Sequence, residues 1–147
     1  MLLKTAQFGE IEINENKKII FKEGIPGFET LKEYILLEDE DIESPFKYLQ
    51  SAQQEDVCFV ILNPYMFNIN YTPTIKEEYF EKLGGGKDED FFIFVITTVG
   101  KTLEETTVNL MAPLLIHQET RLGLQVIVEE DAYTTKHPIL DFKTERS

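Results

Sequence analysis

The sequence predicts a mainly β fold, a small antiparallel sandwich or open barrel of about eight to ten short strands with one short helix near residues 75–83. Three observations carry this. Apolar residues recur at period two in short runs, as in Glu10-Ile11-Glu12-Ile13-Asn14 and Leu122-Gly123-Leu124-Gln125-Val126. Turn residues punctuate those runs throughout. Only one segment switches to helical spacing.

Ile11 and Ile13 alternate with polar neighbours as a half-exposed strand does. Asn14-Glu15-Asn16-Lys17 is a turn, and Ile19-Ile20-Phe21 is expected to return as the second strand of a hairpin. Tyr34–Leu37 and Phe46–Leu49 are short β runs. Val57–Leu62 is apolar throughout and ends at Asn63-Pro64, where proline withdraws a ladder donor. Phe91–Thr98 is β-branched and aromatic, the expected central strand. Thr106–Leu110 places Val108 and Leu110 on one face, leaving Thr107 and Asn109 for the surface or a buried hydrogen bond. Leu122–Val128 is the last clear strand.

Ile75, Tyr79, Phe80 and Leu83 fall on one side of a helix, with Lys76, Glu77, Glu78, Glu81 and Lys82 facing water. Thr74 is positioned to cap it, Glu77 to complete a capping box, and Gly84-Gly85-Gly86 to end it. Phe91–Ile96 would aggregate if exposed. Lys87-Asp88-Glu89-Asp90 precedes it as a charged gatekeeper.

The chain has 147 residues, the length of about one domain. It is read as a single domain over 1–147 with a frayed tail at 141–147. Its 27 acids outweigh 14 bases, for a net charge of −13. Residues 1–73 carry 13 acids against 6 bases and residues 74–147 carry 14 against 8, so the acidity belongs to the folded body. Direct binding to nucleic acid or an anionic membrane is not expected, because phosphate neutralisation needs clustered Lys and Arg. The single cysteine, Cys58, excludes an intrachain disulfide and suits a reducing cytoplasm. No signal peptide is visible, and the longest apolar run is far too short to span a bilayer.

Chemical motifs fail one after another. Gly100-Lys101-Thr102 follows an apolar strand, but a phosphate loop needs glycine five residues earlier, where Val95 stands; a hairpin turn is expected. Asp39, Asp41 and Glu43 resemble the start of a calcium loop. The sharp-turn glycine is replaced by Ser44 and the bidentate glutamate by Gln50. His117, His137 and Cys58 lack the paired spacing of a metal site. Cys58 lies in an apolar strand and is expected to be buried, which disfavours a thiolate. No serine sits in a nucleophile-elbow context. No catalytic residue, metal or cofactor is assigned.

The segment Glu23-Gly24-Ile25-Pro26-Gly27-Phe28-Glu29 is specific. Pro26 fixes φ and Gly27 supplies the positive φ of a type II turn, with Phe28 expected to anchor it in the core. It is followed in order by Pro45-Phe46, Leu49-Gln50-Ser51, Asn63-Pro64, Thr107-Val108-Asn109-Leu110 and Ala112-Pro113. Arg121-Leu122-Gly123-Leu124-Gln125, Tyr133 and Lys136-His137-Pro138 complete the series. Together these resemble the FliW family of bacterial flagellar assembly factors, from Phe8-Gly9 to about Leu140. Gly84-Gly85-Gly86-Lys87 and the acids after it are peculiar to this chain.

The resemblance implies a small antiparallel β fold without enzymatic activity, acting in the cytoplasm. It implies two partners that exclude each other. One is flagellin; the other is CsrA, the dimeric RNA-binding regulator that represses flagellin translation. Flagellin export would free the protein to capture CsrA away from its RNA surface and relieve repression. Two other readings stand beside this one: a flagellin-only secretion chaperone, and a small β-barrel enzyme. A monomer is expected when free.

An acidic module would meet a basic partner through exposed acids around a desolvated apolar anchor. The candidate acids are Glu38, Asp39, Asp41 and Glu43, then Glu77 and Glu78. The candidate anchors are Ile25 and Phe28 in the turn, and Tyr65, Met66 and Phe67 after Asn63-Pro64. Gly24, Pro26, Gly27, Asn63, Pro64, Asn109 and Pro113 are assigned structural roles.

Overall fold

The computed structural model describes residues 2–38, 44–65 and 71–139. Eleven strands occur among them: β1 (Leu2–Thr5), β2 (Gly9–Glu12), β3 (Ile19–Ile20), β4 (Glu33–Glu38), β5 (Phe46–Ser51), β6 (Cys58–Leu62), β7 (Phe91–Thr98), β8 (Thr107–Val108), β9 (Leu114–His117), β10 (Gly123–Gln125) and β11 (His137–Pro138). One helix, α1 (Glu77–Lys82), lies between β6 and β7. The mainly antiparallel β expectation holds.

The main sheet runs β10-β9-β7-β6-β5-β4-β3. Its two ends meet at a single parallel bridge, Ile20 to Leu122. The sheet is therefore an open roll, joined at one point and not closed by a continuous ladder. β7 is its hub. Phe91–Phe94 pair with β9, Val95 and Ile96 with β6, and Thr97 and Thr98 with β8.

The roll's inner face packs Ile19, Phe21, Tyr34, Leu49, Phe94 and Leu114 into one core. The outer face is also covered, in three places. The β1–β2 hairpin sets Leu3 and Ile13 against Ile35 of β4. α1 and the chain around it cover Phe91, Leu115 and Leu124. Tyr71, Tyr133 and Ile139 cover Leu62, Val95 and Val108. Except at Phe92, which is exposed, the strand is covered on both faces and has no polar side to show, which is why Phe91–Ile96 reads as a continuous apolar run.

Several local expectations change. Ile11 and Ile19 do not share a hairpin: β2 pairs with β1, and β3 pairs with β4. The turn between them is real, a 3-10 turn at Glu15–Lys17 in which the Asn14 side chain accepts from the Asn16 N–H. It redirects the chain between two layers because Ile13 and Ile19 belong to different clusters. α1 starts at Glu77 after Lys76 with no side-chain cap. Thr74 is not its cap; its backbone N–H donates to the Glu130 carboxylate at 2.8 Å, in an extended approach to the helix. Gly84, Gly85 and Gly86 all have positive φ and follow the helix as expected. Cys58 is half-buried rather than buried, and burial pushes its thiol pKa up.

The Ile25–Phe28 segment forms the expected turn: the Phe28 N–H donates to the Ile25 carbonyl at 2.7 Å, and Gly27 has φ +90°. The anchor is Ile25, which is only 2% exposed. Phe28 is 39% exposed and lies edge-on over Phe59, with ring centroids 5.2 Å apart. Ile25 thus makes the core contact, and Phe28 adds an edge contact to the partly buried Phe59.

Candidate partner-binding groove

The candidate residues scatter. Ile25 is in the inner core and offers no surface. Glu38 ends β4, where its carboxylate meets Lys47 of β5 at 3.2 Å in a cross-strand pair. Asp39, Asp41, Glu43, Met66, Phe67 and the 141–147 tail lie outside the described residues. Glu78 is exposed in the first turn of α1.

Two candidates come together. Tyr65 and Glu77 both line a groove of about 590 Å³ on the outer face of the sheet. The groove lies where two outer clusters adjoin, with Ile93 of β7 packed against both. Tyr65 and Tyr71 both line it, 6.4 Å apart, and Tyr133 packs against Tyr71 at 4.8 Å, centroid to centroid. Phe80 of α1 and Phe91 of β7 also line it, edge-on to each other at 5.0 Å. Asp88, in a 3-10 turn before β7, joins Glu77 among the lining residues.

Local chemistry makes this groove firm. Asn63 Oδ1 accepts from the Tyr65 N–H, so Asn63-Pro64 turns the chain and presents the tyrosine. Tyr65 remains 48% exposed. The Tyr71 hydroxyl donates to the Leu110 carbonyl at 2.6 Å, deep in the outer cluster. Burial, and then the nearby Tyr65, Tyr133 and Glu130, push the Tyr71 pKa far up. Burial, and then Tyr133, push Tyr65 in the same direction. Both phenols are thus neutral over the physiological range. The extended chain from Thr72 to Ile75 forms the rim between them and α1. Its Thr72 N–H donates to the Tyr133 hydroxyl at 3.0 Å, and its Thr74 N–H to Glu130.

The residues assigned structural roles are placed so. Gly24 has φ +70°, and a Cβ there would lie 2.6 Å from the Glu29 Cα. Asn109 Oδ1 accepts from the Ala112 N–H, resolving the choice left open for it in favour of a hydrogen bond. Pro113 is buried and its carbonyl accepts from the Val126 N–H. His117 is a structural histidine. Its Nδ1 accepts from the Glu119 and Thr120 N–H groups, which leaves Nε2–H to donate to the Gly85 carbonyl at 2.9 Å.

Among the described residues of the groove nothing pairs a nucleophile with a base. Among the described residues no group of three His, Cys, Asp or Glu side chains is placed to hold a metal ion. No helix among them is long and apolar enough to cross a membrane. What the groove can do is bury a partner's apolar atoms beside two carboxylates.

Sequence reasoning missed Tyr71, Asp88, Phe91 and Ile93 as groove residues. The signal available was the aromatic spacing around Asn63-Pro64 and Thr72-Pro73. The contact between the two outer clusters leaves no local trace.

A model of the FliW protein family matches residues 2–139. The flagellar assembly factor FliW of Caldanaerobacter subterraneus subsp. tengcongensis is 43% identical, over 96% of this chain and 94% of its own length. That of Alkaliphilus metalliredigens is 40% identical, over 96% and 87%. A crystal structure of the flagellar assembly factor FliW superposes with a TM-score of 0.86 at 35% identity, covering 95% of this chain and 96% of the other.

Proposed function

This chain belongs to the FliW family of flagellar assembly factors, and from that premise we propose that it works as a partner-switching regulator in the cytoplasm. It binds flagellin, and when flagellin is exported it binds CsrA and relieves the repression of flagellin mRNA. The observation that carries this reading is the family match over nearly the whole described chain. It does its work by binding and not by catalysis, in keeping with a groove that offers apolar surface and carboxylates.

Charge supplies the physics. A protein at −13 is steered towards an RNA-binding partner that presents Lys and Arg. Steering acts mainly on the association rate and fades with salt. Once docked, the same surface repels RNA phosphates without occupying the RNA site. Each exposed pair contributes about 0–1 kcal/mol, so several acids act together around an apolar anchor.

The test is binding of purified CsrA and flagellin, separately and in competition. Each is expected to bind and to displace the other. Binding of flagellin alone would replace this reading with the secretion-chaperone one. Replacing Glu38, Asp39, Asp41 and Glu43 with their amides should slow CsrA association and flatten its salt dependence. Association rates that ignore salt in both proteins would refute steering by this segment.

A further inference from the structure

We propose that the groove between Tyr65, Tyr71, Phe80 and Ile93 receives a partner's chain segment that is apolar along one side and carries Lys or Arg next to its apolar residues. This rests on the reading of the chain as a partner-binding module and adds where the segment sits and what recognises it.

Size and shape come first. At about 590 Å³ the groove falls within the roughly 300–1,000 Å³ of ligand-binding clefts. It is open to solvent, so it suits side chains projecting from a segment that lies across it. Its aromatic rings, Ile75 and Ile93 share the lining with Thr72, Thr74 and two carboxylates, and Tyr65 stands exposed at one side. A tyrosine of this kind buries a large area while giving up little side-chain freedom, which is why such residues become binding hot spots. The Thr72 and Thr74 N–H bonds to Tyr133 and Glu130 hold the rim in place.

Charge selects the occupant. Glu77 and Asp88 line the groove, both exposed, and neither has an ion-pair partner among the described residues. Among the described residues the lining contains no Lys, Arg or His. The two lysines of the α1 region engage elsewhere, Lys76 with Glu129 at 3.6 Å and Lys82 with Glu23 at 3.8 Å. A cation entering beside the apolar anchor therefore finds two carboxylates without ion-pair partners among the described residues. A phosphate backbone finds only repulsion, which argues against nucleic acid.

The experiment uses the full chain and two synthetic peptides. One places Leu and Phe at i and i+4 with flanking Lys; the other carries Glu in place of each Lys. Amide chemical shifts report where each binds. The Lys peptide should shift the groove residues and bind at least about tenfold tighter than the Glu peptide at low salt, the gap narrowing as salt screens it. Tyr65→Ala should weaken the Lys peptide about tenfold. Glu77→Gln with Asp88→Asn should shrink the preference for Lys, by about one- to fivefold per carboxylate. Equal binding of both peptides, no shift at the groove up to about 1 mM, or shifts of the groove residues on adding a single-stranded RNA oligonucleotide without peptide would each overturn the proposal. If purified CsrA and flagellin bind but the Lys peptide leaves the groove unmoved, the groove assignment falls and the partner reading stands. If the Lys peptide binds with the stated preference while neither protein does, the groove chemistry stands and the partners named above fall.

Discussion

The Ile20 N–H donates to the Arg121 carbonyl at 2.8 Å, and this bond joins the two ends of the long sheet. Arg121 holds the seam from its other end too: its Nη2 donates to the Lys17 carbonyl at 2.7 Å. It does so at φ +59°, the one positive φ outside glycine among the described residues. The seam therefore depends on a residue whose backbone prefers another conformation.

Arg121→Ala separates these contributions. It keeps the unfavourable φ and removes the side-chain bond, so stability should fall by about 1–2 kcal/mol. Arg121→Gly removes the same bond but relieves the backbone and should cost less. Denaturant midpoints of the two variants check the order; an equal or reversed order would show that backbone strain at this residue is unimportant.

Tyr34 and Tyr71 are both buried, and only one is satisfied. The Tyr34 hydroxyl has no hydrogen-bond partner among the described residues, whereas that of Tyr71 donates to the Leu110 carbonyl. Tyr34→Phe should leave stability unchanged or raise it by up to about 1 kcal/mol, and Tyr71→Phe should lower it by about 1 kcal/mol at neutral pH. Thermal melts of the two variants give the comparison.

The same phenols set an alkaline limit. Burial raises both pKa values above that of an unfolded tyrosine, about 10. Their contribution is whole below that value. It shrinks as pH rises further, because the unfolded phenol ionises while the folded one stays protonated. Unfolding midpoints should fall above about pH 10, and Tyr71→Phe should fall less steeply than the wild type.

Gly24 and Gly27 differ although both have positive φ. A Cβ at Gly27 meets nothing within 4 Å, whereas one at Gly24 runs into the Glu29 backbone. Gly27→Val should cost about 1–3 kcal/mol from conformation alone. Gly24→Ala should cost more than Gly27→Ala, since the Glu29 backbone must also move. Equal melting temperatures for the two alanine variants would contradict this.

His117→Phe keeps a ring beside Phe91 and abandons three hydrogen bonds. Two backbone N–H groups and the Gly85 carbonyl lose their partner, for an expected loss of about 1–3 kcal/mol. Hydrogen exchange should quicken most at Glu119 and Thr120.

The sequence by itself determined the β class, most strand positions, the helix and the Ile25–Phe28 turn. Each rests on local chemistry: period-two apolar spacing, i and i+4 spacing, and a Pro-Gly pair. The ordered motifs along the chain also carried the family resemblance. Tertiary structure decided the rest. Leu114–His117 is buried at every position, so β9 shows no alternation to read. The pairing of β2 with β1 and the seam at Ile20 and Arg121 are backbone hydrogen bonds between segments that burial of apolar surface elsewhere brings together, and the same burial sets Tyr65 and Glu77 around one groove. That driving force has no direction along the chain. A residue's own spacing can say that it must be buried, but only the folded sheet selects what it is buried against.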